Sequence, residues 1–550
     1  MSMTPPTPLL FVADLRRGTC EFEPGQRHER LCELFAHHRG EAHALDLTGA
    51  VLAWIGRDDR AAAAELSEAL AADPAAALRD LRGTYCGAHR VLDPGRWTFF
   101  TDHIGSRPLF YYLDEARFIL SSSVAAVARA MREAGLTTKL DRHGAYALLT
   151  YGYCVDQLTL VAGVRTLEAG RTLTLDLPAG TVREGRYYRP PVEPSFGGSL
   201  EDAAAELDEL FVQAVRRAFE RDRQAGLRHA VTLSGGLDSR MTALVAQELG
   251  YGEQLHLTFS QSGAPDERIA RRIAADLGHE WLYYALDGGD YLLAFEALAP
   301  LLEGRVVVTG AAHAFGLYRL LDWGALGMLH TGQHGDVVIG RSTARPPRPD
   351  LLGTGAMDLQ LIDRLADHAP AHPHATPEEH LLANRFFRGN NAALAVAQAT
   401  TETYAPFTDV DVLDLCLSLP AEYRERHRLY KVWIDRHRRA ADRYPWARTG
   451  ARPTAASVTV GRHAYTANEV VERLRRATGT SNRPGMMPLA RYYAEGDRLR
   501  PTLDAYAAAE LDRLGDDRLR DDAAGLYRHG TATNKLAVVS LLSATKYLLG

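Results

Sequence analysis

Between Ala230 and Leu249 the chain passes from strand to helix through a turn that few architectures accommodate. A short apolar run, Ala230 to Leu233, leads into Ser234-Gly235-Gly236-Leu237-Asp238-Ser239-Arg240, and a helical pattern follows from Met241 to Leu249. Adjacent glycines let the backbone come close to a ligand. A helix N-terminus beyond them offers free N–H groups and the positive end of a dipole to a phosphate. Asp238 would repel a bare phosphate, so it makes chemical sense as a ligand for a magnesium ion that bridges to the phosphate.

The rest of the chain limits what surrounds this turn. Its 550 residues suggest two to four domains with sizeable cores. Apolar content of 46% and charged content of 24% are those of a globular protein, and a net charge of −6 argues against nucleic-acid or membrane partners. No apolar run approaches a membrane span, and Met1-Ser2-Met3-Thr4-Pro5-Pro6 lacks the basic start and apolar stretch of a signal peptide. The cysteines Cys20, Cys32, Cys86, Cys154 and Cys416 are scattered and never in metal-ligand spacing. They are expected to be reduced, in a cytoplasmic protein.

A seam at Pro190-Pro191-Val192-Glu193-Pro194-Ser195-Phe196-Gly197-Gly198 divides the chain. Proline and glycine at that density sustain neither helix nor inner strand. The expected domains are 1–190 and 199–550. Directly after the seam, Ser199 and Asp202 form a capping-box-like start, and Leu200, Leu207, Leu210, Phe211, Ala214 and Phe219 mark one face of a long helix. Before it the texture is mostly strand and turn: Trp97 to Phe100, Phe110 to Tyr112, and a strand pair over Val161 to Gly170. After it, strand-like runs (Leu255 to Phe259, Arg305 to Val308, Met328-Leu329) alternate with helical ones such as Arg268 to Leu277. That alternation predicts a parallel sheet covered by helices, with ligands beyond the carboxyl ends of its strands. Pro-rich Arg341 to Asp350 and Thr478 to Pro488 are expected to be surface loops able to cover a site.

The 234–239 run resembles the signature of the PP-loop ATP pyrophosphatases, which split ATP between its α- and β-phosphates; six positions agree, against the alternative of an ordinary Gly-Gly turn. Across nearly its whole length the chain resembles the asparagine synthetase family. Asp102, Gly105, Pro108 and Leu109 fit that family's D-x-x-G-x-x-P-L turn, followed by the strand Phe118 to Ser123, and Gly163 to Gly170 fits the segment closing its first domain. Thr331-Gly332-Gln333-His334-Gly335-Asp336 stands at its second glycine-rich turn, and Pro406-Phe407-Thr408-Asp409 at its P-F-L-D, followed by Val412 to Pro420 and Lys431. The resemblance implies an α/β plus α+β protein. Its N-terminal part would be a glutaminase-like (Ntn-type) αββα domain, and its C-terminal part a PP-loop ATP pyrophosphatase parallel α/β domain with helical additions.

Departures from the family pattern matter as much. A working glutaminase of this type uses an N-terminal cysteine with its own α-amine as base. Here the first cysteine is Cys20, and removal of Met1 would expose Ser2. The family's oxyanion-hole asparagine is also missing, since the first 200 residues contain no asparagine. The first half is therefore expected to be an inactive, structural partner. Glutaminase-deficient relatives include β-lactam synthetases and lasso-peptide cyclases.

By this resemblance Ser234, Gly235, Gly236 and Ser239 would hold the ATP phosphates, chiefly through backbone N–H groups and hydroxyls. Asp238 and Asp336 would ligate Mg2+, and Leu233, Ser260 and Gly332 would border the adenosine, where packing or turn roles serve as well. Gln333 stands where asparagine synthetases have an acid and β-lactam synthetases a tyrosine. The acid that partners this tyrosine falls near Asn390 or Asn391, which disfavours β-lactam closure. His334 is the local group able to take a proton near pH 7, its alternative being a plain turn histidine. Lys431 would neutralise phosphate or pyrophosphate, its alternative being a salt-bridged surface lysine. The family's late lysine is absent from Ala447 to Arg452, where Arg448 or Arg452 offers a cation.

The expected enzyme is an ATP-dependent, AMP-forming C–N ligase acting on a carboxylate and an amine. The best fit is a macrolactam-forming lasso-peptide cyclase with a precursor peptide and a protease partner. Amidation of aspartate, another small acid or a sugar acid with ammonia, and a nucleotide-binding scaffold, are the alternatives. A tRNA-modifying PP-loop enzyme should show a basic face, against which the net charge weighs.

Overall fold

The computed structural model describes residues 3–23, 38–39, 43–53, 60–91, 95–341, 346–460, 463–477 and 485–550. Its first half contains β1 (Leu10–Asp14), β2 (Thr19–Glu23), β3 (His38–Arg39), β4 (His43–Ala53), β5 (Arg82–Val91) and β6 (Arg96–Thr101). These are followed by β7 (Leu109–Leu113), β8 (Arg117–Ser121), β9 (Arg165–Leu167), β10 (Arg171–Asp176) and β11 (Thr181–Arg186). They form two antiparallel sheets, ordered β2-β1-β8-β7-β9 and β11-β10-β6-β5-β4-β3.

Alternation along the strands explains how the sheets pack. Phe11, Trp97, Phe99 and Phe118 point between them, with the Phe11 ring centred 4.9 Å from Trp97 and 4.8 Å from Phe99. The next residues along point outward: Phe100 meets Leu70 and Leu78 of the helices Arg60–Ala72 and Pro74–Asp80. Phe110 and Ile119 meet Val127 and Leu148 of the helices Val124–Glu133 and Arg142–Tyr151. The result is the helix–sheet–sheet–helix sandwich expected.

The second half is built on β12 (Arg228–Thr232), β13 (Gln254–Ser260), β14 (Glu280–Ala285), β15 (Leu326–His330) and β16 (Thr403–Tyr404), all parallel, in the order β14-β13-β12-β15-β16. The chain leaves β12 for β13 and β14 on one side and returns to place β15 on the other. The turn after β12 therefore lies at a topological switch point, where such sheets bind ligands. The long helix Leu200–Gln224 opens with the Ser199/Asp202 capping box and buries Leu207, Phe211, Ala214 and Phe219. Helical additions close the chain. The last helix, Ala532–Leu549, is capped by Thr531 and Asn534 and buries Leu536, Val539, Leu541 and Leu542 among others, in the same core cluster as Phe110 and Leu148 of the first half.

Two strand expectations need correction. Arg305 to Val308 is not a sheet strand: Val306 makes a single bridge to Tyr153, and the N–H of Val308 goes to Ser540 Oγ at 2.9 Å. Short apolar runs only signal burial, and here the burial comes from the last helix. Within Val161 to Gly170 only Arg165–Leu167 joins a sheet, because Gly163 turns at φ +81° and Val161 bridges Leu140 alone. Of the two expected loops, residues 342–345 and 478–484 lie outside the described residues, as does Cys32. No helix among the described residues is long and apolar enough to cross a membrane.

The halves are tightly joined. Thr84 Oγ1 donates to Thr403 O at 3.1 Å, and Arg82 pairs with Asp411 at 2.8 Å. Arg107 and Glu402, 7% and 0% exposed, form a buried ion pair across the junction. Glu303, from the second half, accepts the N–H groups of Val124 and Ala125 at 3.0 and 3.1 Å, so it caps a helix of the first half.

Candidate active site

A cleft of about 430 Å3 opens at the carboxyl ends of β12, β13 and β15. Leu233, Ser234, Gly236, Asp238 and Ser239 from the first glycine turn line it, with Thr331, Gly332 and Gln333 from the second. Its apolar floor includes Leu257, Phe259, Ala314 and Tyr318, and Met486 closes one side. The described end of the second expected loop thus does reach the cleft, and the carbonyl of Met486 accepts the N–H of Gln261 at 2.8 Å.

The two turns abut because glycine allows it. A Cβ on Gly332 would lie 2.2 Å from the backbone N of Ser239, and one on Gly335 would lie 2.6 Å from the carboxyl carbon of Asp238. This close approach lets the N–H of Asp336 donate to Asp238 Oδ2 at 2.9 Å, while Tyr430 OH donates to Asp238 Oδ1 at 2.8 Å. Burial, and then the neighbouring Asp336 carboxylate, push the Asp238 carboxyl well above the ordinary aspartate range. Asp336 is raised as well by burial, against the pull of Arg448 and Arg385. Two hard carboxylates held together at such cost form a donor set that a hydrated divalent cation fits, because its charge removes the conflict.

Within the first turn, hydrogen bonds are closed on themselves. The N–H of Ser234 donates to Ser239 Oγ at 3.0 Å, that of Gly236 to Ser234 Oγ at 3.1 Å, and that of Gly235 to Asp266 Oδ1 at 3.0 Å. Gly235 does not line the cleft, and its N–H is engaged, as are those of Ser234 and Gly236. The groups facing the cleft are the Ser234 and Ser239 hydroxyls, 3.0 Å apart, and the start of the helix Asp238–Glu248, which has no side-chain cap.

His334 and Ser260 are not brought to the cleft. His334 is buried, with Nε2 3.1 Å from Asn391 Oδ1, and Asn391 in turn donates to Ile104 O in the first half. Burial lowers the imidazole to about 4, so it is neutral at pH 7, and its ring lies outside the cleft lining. Ser260 is fully buried at the end of β13, its hydroxyl donating to Gln261 O at 3.1 Å. Leu233 and Gly332 do line the cleft. Lys431 stands beside Tyr430 on the helix Arg428–His437, outside the cleft lining, with its ammonium lowered by burial and by Arg448. Arg448 donates to His427 Nε2 at 2.6 Å.

Four site residues escaped the sequence reading. Asp266 looked like an ordinary first-turn acid of the helix Pro265–Leu277. Tyr430 and Arg385 carry no local pattern and meet the aspartates only through the fold. Arg240 follows the motif and is completely buried: its Nη1 donates to the carbonyls of Ala441 and Tyr444 at 2.9 and 3.0 Å, its Nη2 to those of Pro445 and Gly235 at 2.7 and 3.3 Å. It clamps the glycine turn to the 441–445 segment, a positioning role with no contact to the cleft.

Residues 206–372 match the asparagine synthase family and residues 68–188 the glutamine amidotransferase domain; together these take in more than half of the chain. A protein of Methanocaldococcus jannaschii named "Putative asparagine synthetase (glutamine-hydrolyzing) 2" is 27% identical over 178 residues, which is 32% of this chain and 33% of that one. The chain thus matches about a third of that relative's length. Glutamine phosphoribosylpyrophosphate amidotransferase from B. subtilis, complexed with ADP and GMP, aligns at 14% identity and TM-score 0.21 over 46% of this chain and 60% of that one. A structure of the allosteric regulatory enzyme of purine biosynthesis aligns at 11% identity and TM-score 0.22, over 51% and 75%.

Proposed function

We propose, from the premise that this chain belongs to the asparagine synthetase family, that it is an ATP-dependent ligase which adenylates a carboxylate and joins it to an amine without hydrolysing glutamine. The observation that carries this reading is the meeting of Asp238 and Asp336 across two abutting glycine turns. In the first step a substrate carboxylate oxygen attacks the α-phosphorus of ATP and pyrophosphate leaves. In the second, the amine attacks the acyl carbon, AMP departs with the C–O electron pair, and the amine proton passes to solvent.

Asp238 and Asp336 would hold the magnesium ion, which when bound supplies charge neutralisation at the phosphates. Ser234 and Ser239 would donate to phosphate oxygens, helped by the uncapped start of the 238–248 helix. Arg448 and Arg385 act on Asp336, with Lys431 beside Arg448, and these cations would steady the departing pyrophosphate, in place of the absent late lysine. Lys431→Ala and Arg448→Ala should each slow pyrophosphate release about 10- to 100-fold, read as initial rates at saturating ATP; rates within twofold of the parent would remove them from the site. Metal affinity should rise with pH across neutrality, because the proton retained on the raised aspartate pair must leave before the cation binds. Magnesium titrations by calorimetry at pH 6 and pH 8 check this, and equal affinities would contradict it.

For the amine, the reading favours one carried by the substrate itself, as in a lasso-peptide-type macrolactam cyclase acting on a precursor peptide trimmed by a protease partner. Support comes from the first half, where Cys86 and Cys154 are buried in packing and burial pushes the Cys154 thiol to about 12. The thiol of Cys20, in β2, is raised as well. Amidation of a small acid with ammonia is the second reading, favoured by the asparagine synthase match itself. Incubation with ATP, Mg2+ and either a precursor peptide or small acids plus ammonium separates the two. A peptide lighter by one water supports the cyclase, an amidated acid the second reading. The absence of pyrophosphate with every acid leaves a nucleotide-binding scaffold.

A further inference from the structure

A second cavity, of about 300 Å3, lies between the two halves and outside the cleft. Its wall carries Arg171, Arg186, Arg189, Arg305 and Arg388, against Glu168 and Glu379. Arg171 is paired with Glu168 and Glu184, both at 3.0 Å, and Arg189 with Glu379 at 2.6 Å. Arg186, Arg305 and Arg388 form no ion pair among the described residues.

Arg388 is held by the carbonyls of Cys154 and Leu158, which accept from its Nε and Nη2 at 3.1 and 2.9 Å, while its Nη1 is buried and bonds to nothing. Beside it, Arg305 donates Nε and Nη2 to the carbonyls of Leu302 and Leu301, with its guanidinium 5.9 Å from the Phe110 ring. Burial lowers both guanidinium groups from their ordinary value, and Arg388 lowers Arg305 further. Neither has a carboxylate at ion-pair distance, although Glu303 acts on Arg305 and Glu168 and Asp156 on Arg388 from further away, so the cavity wall keeps an excess of positive charge that is costly to hold half-buried. An anion would balance it. The remaining wall is mixed, with Phe110, Leu167, Leu382 and Phe387 on its apolar side and His103, His372, His374 and Asn384 among its polar groups.

We propose that this interdomain cavity binds a small organic anion, a carboxylate or phosphate monoester with an apolar body, whose charged end lies among the guanidinium groups of Arg186, Arg305 and Arg388. The site stands apart from the ligase reading and does not depend on it. It is nonetheless connected to the cleft. Arg388 belongs to a ten-residue π-helix, Leu381–Asn390, a form that is rare and recurs at functional sites. The Leu382, Phe387 and Arg388 positions of this helix face the cavity, Gly389 and Asn390 face the cleft, and its Arg385 acts on Asp336. A bound anion therefore grips the element that forms part of the cleft wall.

The test uses benzoate and phenyl phosphate as probes, with benzamide as the neutral control, followed by ligand-observed NMR on the full chain. Binding of at least one anion, and not of benzamide, is expected, and the stronger of the two identifies the headgroup. Arg388→Gln should weaken anion binding at least about tenfold. Arg186→Ala, exposed at the rim and unpaired, should weaken it about threefold and decides the matter should Arg388→Gln fail to fold. Hydrogen exchange of the 381–393 amides should slow with anion in the parent and not in Arg388→Gln. Benzamide binding as tightly as benzoate, no binding of either anion, or anion affinity untouched by both substitutions would each overturn the proposal.

Discussion

Asp238→Asn should lower ATP-dependent pyrophosphate release by about 10²–10³-fold and, at the same time, raise the thermal midpoint of the metal-free protein. The two effects have one cause. Asp238 is half-buried within reach of Asp336, and desolvation and that neighbouring charge hold its carboxyl above the value it has in the unfolded chain. Between those two values the unfolded chain is ionised while the folded one retains a proton, so the stability penalty grows as the pH rises. An amide of the same shape removes that penalty and also removes a metal ligand. Melting curves from pH 5 to pH 8 should therefore fall with pH more steeply in the parent than in the variant. Added magnesium should raise the midpoint of the parent alone. A variant that is less stable than the parent at pH 8, or that keeps its activity, would end the reading of this pair as a strained metal site.

The second large effect concerns a residue that touches no ligand. Arg240→Leu should destabilise the second half by roughly 3–5 kcal/mol, because the carbonyls of Gly235, Ala441, Tyr444 and Pro445 would lose their donor inside the core. Leucine fills part of the space and satisfies none of them. The loss should appear as a lower midpoint in urea and as proteolytic opening near 441–445. Arg240→Lys should recover only a fraction, since one ammonium cannot span four carbonyls in a planar fork. A variant as stable as the parent would show that the clamp is dispensable.

The contrast between these residues shows what the chain discloses in one dimension. The 234–239 turn was legible because its chemistry is local: strand end, glycines, acid and helix start follow in order. The 332–336 turn was legible through a second glycine-rich run ending in an acid, and the helix from Leu200 through its capping box. Arg240, Tyr430 and Arg385 gain meaning only when segments about 50 to 200 residues apart are packed together, which no period records. His334 shows the opposite failure. A histidine two residues before Asp336 invited a proton-transfer role, yet a turn with φ +69° sends its ring into the core toward Asn391.

The ion pair between Arg107 and Glu402 has a consequence for the economy of the whole chain. Trimming away the first 190 residues would take from buried Glu402 the guanidinium of Arg107 and expose the edge beside Thr403. The first half thus serves the second as a keystone does, through the load its contacts carry.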